Sequence, residues 1–257
     1  MSRFRLLLLS IALVVVAAAC QVHTEVGIDV AEDGSGTVEV SVTLDREAAG
    51  RLGNPATALR LDDLRQAGWQ VDDATEVDGG GLRLVGRRDF ASADQLGAVL
   101  DEIGGPEGVF RGTELTVSDG FSSTTYDFTT TVELSGSLEQ FSDAELAAAL
   151  DGLPLARSAE ELAAEGATDP EAATLDVVVD LPGGRPTTNG QPATEGDQTD
   201  GAARWSFSAA GGEAVSEELR STSTSSGAPM WAFVGVAVLA ALGAIAALVV
   251  GLVIRRR

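Results

Sequence analysis

The sequence predicts an α+β fold: an antiparallel, curved sheet built from repeated hairpin-helix units, followed by one C-terminal transmembrane helix. Three observations lead there. Pairs of segments alternate apolar and polar residues across short turns, helix-start signals follow each pair, and residues 230–254 run without a charge.

Met1, Arg3 and Arg5 precede the apolar run Leu6 to Val16, so residues 1–19 read as an export signal. About eleven apolar residues are too few to cross a bilayer. Ala17-Ala18-Ala19-Cys20 resembles the bacterial lipoprotein signal, in which a diacylglyceryl thioether forms on the cysteine and cleavage leaves it first. Cys20 is then the lipid attachment residue. Ala17 and Ala19 also satisfy the A-x-A rule of the ordinary signal peptidase, which stands as the alternative.

Residues 20–220 form the expected extracytoplasmic domain. Val22, Thr24, Val26, Ile28 and Val30 share one strand face, Ala31 to Gly36 supply a turn, and Val38, Val40, Val42 and Leu44 answer them in a hairpin. Asn54-Pro55 reads as a cap and first helical residue, Ala58, Leu61 and Leu64 share a helix face, and Gly68 ends it. Trp69 and Val71 begin a second hairpin that returns through Leu82, Leu84 and Phe90. Ser92 and Gln95 form a capping box for Leu96, Val99, Leu100 and Ile103.

A third hairpin pairs Val109, Thr113, Leu115 and Val117 with Tyr126, Phe128, Thr130, Val132 and Leu134. Ser142 and Glu145 then cap a third helix, stapled by Phe141 and Leu146, and Ser158 and Glu161 a short fourth ending near Gly166. Leu175 to Leu181 make a seventh strand, and Trp205 and Phe207 an eighth. Between them, residues 183–201 read as a mobile loop. Residues 221–229 have the composition of a flexible linker, 230–254 of a transmembrane helix and 255–257 of a cytoplasmic tail. The ectodomain is thus expected outside a single-pass membrane anchor and tethered at both ends. A spanning helix already retains the chain, so the lipid on Cys20 is read as orienting the domain.

The 257 residues carry a net charge of −22, with 39 acidic residues against 17 basic ones, all arginine. Arg3, Arg5, Arg255, Arg256 and Arg257 lie in the leader and tail, so the exported body is more acidic still. That excludes nucleic acid as a partner. A lone cysteine leaves stability to apolar burial rather than disulfides.

Catalytic chemistry finds little support. His23 is the only histidine, on the polar side of the first strand, and no nucleophile elbow, P-loop, zinc-protease or dinucleotide fingerprint is present. Asp72, Asp73 and Asp78 could pair for carboxylate catalysis, but their Gly-rich turn sequence reads as a solvated loop, and Asp72, Asp73, Glu76 and Asp78 lack the D-x-D-x-D-G spacing of a calcium loop. No cofactor, metal or catalytic residue is expected. Arg83 and Arg87 share a strand side and Arg111 joins them if the sheet pairs suitably, making a candidate head-group site. Cross-strand pairing of these arginines with acids is the competing reading. A curled sheet with an apolar cavity and a dry, filled core would share one periodicity, so the sequence leaves both open.

The whole plan resembles the LppM-like family of actinobacterial envelope lipoproteins. The likeness rests on the lipidated cysteine, the hairpin that starts on it, Val177-Val178-Val179-Asp180-Leu181-Pro182-Gly183, Asn189-Gly190, Trp205 and the terminal apolar segment with its basic end. It implies a strand ending in a tight turn at Leu181-Pro182-Gly183 and a core anchor at Trp205. It also implies an exported α+β domain that engages envelope lipids or glycolipids, with no catalytic residue to transfer. The expected function is a non-enzymatic envelope lipoprotein binding a membrane lipid or glycolipid. The alternative is an interaction or assembly factor with an envelope protein partner.

Overall fold

The computed structural model describes residues 21–52, 61–104, 108–135, 173–193, 201–208 and 214–226. Strand β1 (Val22–Val30) pairs antiparallel with β2 (Gly36–Leu44) over its whole length, as the alternation predicts. At the end of β2 the chain turns at once into helix α1 (Arg46–Leu52), earlier than the Asn54-Pro55 signal. The reason is Asp45, whose Oδ1 accepts from Ala48 N at 2.7 Å and caps the first turn, while its Oδ2 accepts from Gln21 N at 2.9 Å. One carboxylate therefore starts a helix and clamps the beginning of β1.

Helix α2 (Leu61–Gln66) leads through Gly68, at φ +94°, into β3 (Gln70–Val71), β4 (Thr75–Val77) and β5 (Gly81–Phe90). Both short strands pair with β5, which pairs with β2. The expected capping box does not form: Ser92 makes no side-chain cap, and Gln95 Oε1 accepts from Ala91 N at 3.0 Å rather than from Ser92 N. A single 3-10 turn, Ala93–Gln95, intervenes before helix α3 (Leu96–Gly104). The hairpin of β6 (Phe110–Asp119) and β7 (Ser123–Leu134) follows, with a bulge between Arg111 and Glu114 where Gly112 takes φ +58°.

Strand β8 (Ala173–Asp180) lies beside β1 and runs parallel to it. The short β9 (Thr187–Thr188) and β10 (Gln191–Pro192) precede β11 (Ala202–Ser208) and β12 (Val215–Ser226). Two sheets result. One has the order β10-β11-β8-β1-β2-β5-β3, with β4 also on β5, and the other the order β6-β7-β12-β9.

This corrects the expected α+β class. The described chain is mainly strand, in two sheets rather than one; neither sheet closes, and the larger is mixed rather than antiparallel. The hairpins form, but β6 and β7 leave the first sheet to pair with β12, and β8 takes the central place they vacate. Val177-Val178-Val179 explains the position of β8, because a strand beside a parallel neighbour is buried on both faces and reads as a continuous apolar run. No helix among the described residues is long and apolar enough to cross a membrane. The leader, Cys20, the two helices expected from Ser142 and Ser158, and the segment 230–254 lie outside the described residues.

Both sheets contribute to one apolar core. Val26, Ile28, Val38, Phe90, Val177 and Trp205 from the first meet Leu115, Tyr126, Phe128, Val132 and Leu219 from the second, with Leu96 and Leu100 of α3. Polar ties close the seams. Tyr126, 1% exposed, donates from its hydroxyl to Glu32 O at 2.7 Å, and burial followed by the nearby Glu32 charge raises its pKa, so it stays a donor.

The expected linker and loop are structured in part. Leu219, Ser221 and Ser223 alternate inward along β12, so strand geometry runs through Ser226. Small hydroxyl residues gave this segment the composition of a linker; cross-strand pairing with β7 makes it central. Within 183–201, β9 joins β12 and β10 joins β11, so Asn189-Gly190 crosses from one sheet to the other. Ser221 Oγ is fully buried without a hydrogen-bond partner. Ser221→Ala is expected to raise the unfolding free energy by about 1 kcal/mol, since an unsatisfied hydroxyl is removed. Urea unfolding of the detergent-solubilised chain checks this, and no gain is expected if residue 221 sits in a solvated linker.

Candidate functional site

Alternation along the first sheet sends one row of side chains to the core and the other to an outer, charged face. On that face Arg87 Nε donates to Glu39 Oε2 at 2.8 Å and Nη1 to Asp72 Oδ2 at 2.6 Å, and Asp72 followed by the Glu39 charge raises the Arg87 pKa. Arg83 lies 3.9 Å from Glu39 on the same strand side. Arg111 is on β6 in the second sheet, 3.5 Å from Glu133. The structure thus brings together Arg83 and Arg87 but not Arg111, and gives each a carboxylate neighbour.

A second cluster lies where β1, β8 and β11 adjoin. Arg204 Nη1 is 2.6 Å from Asp176 Oδ2 and 3.1 Å from Glu25 Oε2, and His23 Nδ1 is 2.8 Å from Thr174 Oγ1. His23, Glu25 and Asp176 offer ligand atoms within 4.8 Å of one another, a spacing a metal ion could bridge. Arg204 already supplies the positive charge between the two carboxylates, so the donor set is satisfied by the protein itself.

The feature that the sequence did not single out is an open cleft of about 570 Å³ at the end of the first sheet where β1 begins. Leu44 and Val77 give it an apolar part; His23, Thr43, Arg46, Glu47 and Asp78 give it hydrogen-bonding groups; and Gln21 borders it. Arg46 donates from Nε to Gly79 O at 2.7 Å, and among the described residues no carboxylate forms an ion pair with it. Asp45, also on the lining, is committed to Gln21 N and Ala48 N. The cleft forms because the Asp45 cap folds α1 back from β2 while Gly79 and Gly80, both at positive φ, turn the chain sharply into β5. Only Asp45, followed by Arg46 and Glu47 at a strand end, could have hinted at it in the sequence.

No known protein family and no curated protein matches this chain. The chain is similar to a solved structure, the folded domain of LppM from Mycobacterium tuberculosis determined by NMR. The two are 12% identical, the similarity covers 80% of this chain and 91% of that one, and the TM-score is 0.38. A likeness this distant transfers no residue, ligand or activity to the present chain.

Proposed function

We propose that this protein is a membrane-anchored envelope lipoprotein, without enzymatic activity, that holds the head of a glycolipid in the cleft beside Gln21. The observation that carries the reading is the position of the cleft: Gln21 borders it, and the next residue toward the N-terminus is Cys20, the expected lipid attachment site. A lipid on Cys20 would place the opening at the outer surface of the membrane. The uncharged segment 230–254 and its three terminal arginines support the same location from the sequence.

The lining favours one kind of head group. The Glu47 and Asp78 carboxylates offer acceptors, the Arg46 guanidinium donors and the Thr43 hydroxyl both, which suits sugar hydroxyls. Asp45, Glu47 and Asp78 around a single arginine oppose a multiply charged phosphate head. The volume lies within the usual range for a small-ligand site.

Native mass spectrometry of the detergent-solubilised full chain, purified from envelope membranes, tests the reading. A sugar-bearing lipid should copurify, and Arg46→Gln should weaken its retention about tenfold, equivalent to about 1.4 kcal/mol and in line with loss of one charge-assisted hydrogen bond. The same lipid retained equally by Arg46→Gln would place it elsewhere. Absence of any lipid, together with one dominant protein in cross-linking of intact cells, would favour an assembly factor instead.

A further inference from the structure

We propose that the β6–β7 tip is a second contact with the bilayer, with Phe121 inserted among the lipid acyl chains beside the point where the chain leaves the body. This rests on the membrane-bound reading above. Phe121 is 85% exposed, while the other aromatic residues of the core strands are buried. One exposed apolar side chain is ordinary by itself. Its placement is what argues for lipid.

The register of β12 on β7 sets Ser226 opposite Ser123, two residues from Phe121. Paired strands lie about 5 Å apart, and the three residues 227–229 reach at most ~10 Å before the uncharged segment 230–254 begins. The tip is therefore bound to lie close to wherever that segment meets lipid. It is also shaped to enter: residues 120–125 carry no charge, Gly120 N donates to Ser123 O at 2.7 Å, and Thr124 Oγ1 donates to Asp119 Oδ1 at 2.9 Å. The phenyl ring thus stands on a closed turn, and the carboxylate nearest to it in sequence, Asp119, is hydrogen-bonded.

The tip and the cleft lie at opposite ends of the body. A Cβ on Gly34 would touch Val117, and Tyr126 bonds Glu32, so the β1–β2 turn shares the tip's end, while Gln21 starts β1 at the other. Nine residues of strand separate these ends by roughly 25 Å. With lipid at Cys20 and Phe121 in the bilayer, the strands lie along the membrane rather than standing on it, and the cleft stays at the surface. Glu32, Asp33 and Asp119 are exposed at the same end of the body as the tip, so the insertion suits a zwitterionic surface and is weakened by an anionic one.

The test uses the full chain carrying Cys20→Ser and Phe121→Cys, so that an environment-sensitive nitrobenzoxadiazole label at residue 121 is unique, in phosphatidylcholine vesicles containing nitroxide lipids. The unsubstituted chain is floated with vesicles alongside. A blue-shifted label, quenched more than twofold by acyl-chain nitroxide, supports the anchor. A water-exposed label on a chain that floats overturns the anchor and leaves the membrane reading standing. If only the unsubstituted chain floats, segment 230–254 is not held in lipid and the anchor is overturned. If neither floats, both readings fall.

Discussion

Trp205→Ala is expected to lower the unfolding free energy by about 3–5 kcal/mol, the usual cost of emptying a large aromatic site in a packed core. Trp205 is 5% exposed and lies on β11 in the shared core. Its indole Nε1 donates to Asn189 Oδ1 at 3.2 Å, and the same oxygen accepts from Arg220 N at 2.9 Å. Asn189 Nδ2 donates to Glu218 O at 2.7 Å. The tryptophan therefore fills the core and also ties the corner where the chain passes between the sheets. Gly190 is required there, since a Cβ would lie 2.5 Å from the indole Cε2. Urea unfolding of the detergent-solubilised chain measures the effect. A loss below about 1 kcal/mol would mean that the corner collapses onto the vacated space and that the sheets are held together elsewhere.

Arg204→Met is expected to cost about 2–3 kcal/mol, below the full cost of breaking a buried pair because the group is partly open to water. Asp176 is 9% exposed as a residue, and Arg204 is its cation at 2.6 Å and that of Glu25 at 3.1 Å. Removing the guanidinium leaves two carboxylates facing each other under little solvent. Adding Asp176→Asn to Arg204→Met should restore part of the loss, because the damage is an uncompensated charge rather than a missing shape. A double variant no more stable than Arg204→Met would show that Arg204 acts through packing alone.

Several elements were legible from residue order because their causes are local. Strict alternation in 22–44 and 126–134 describes hairpin strands; the row from Tyr126 to Leu134 is buried throughout, and that of the first hairpin is buried at Val26, Ile28, Val30, Val38 and Leu44 and half-buried at Val22, Thr24, Val40 and Val42. Leu181-Pro182-Gly183 closes β8 in a turn with Gly183 at φ +115°, and Trp205 is a core residue. The helix after Gln95 forms one turn later than its capping signal, because a 3-10 turn closed by Gln95 N on Ser92 O comes first. What alternation does not encode is a strand's neighbour. Val22 of β1 pairs with Leu44 on one side and Ala173 on the other, and the second partner lies far along the chain. Ser221 to Ser226 misled for a related reason: serine and threonine are compatible with a linker and with a strand, and only β7 beside them selects the strand.

Sequence by itself determined the acidic composition, the first three hairpins, the single cysteine after a short apolar run, and the uncharged run 230–254, because each depends on side-chain chemistry over a few residues. Tertiary structure alone decided that two sheets share the core, that β8 runs parallel beside β1, that Arg111 is parted from Arg83 and Arg87, and that Arg46 borders a cleft next to Gln21. Those are outcomes of pairing between distant segments, where burial of whole faces outweighs any local preference.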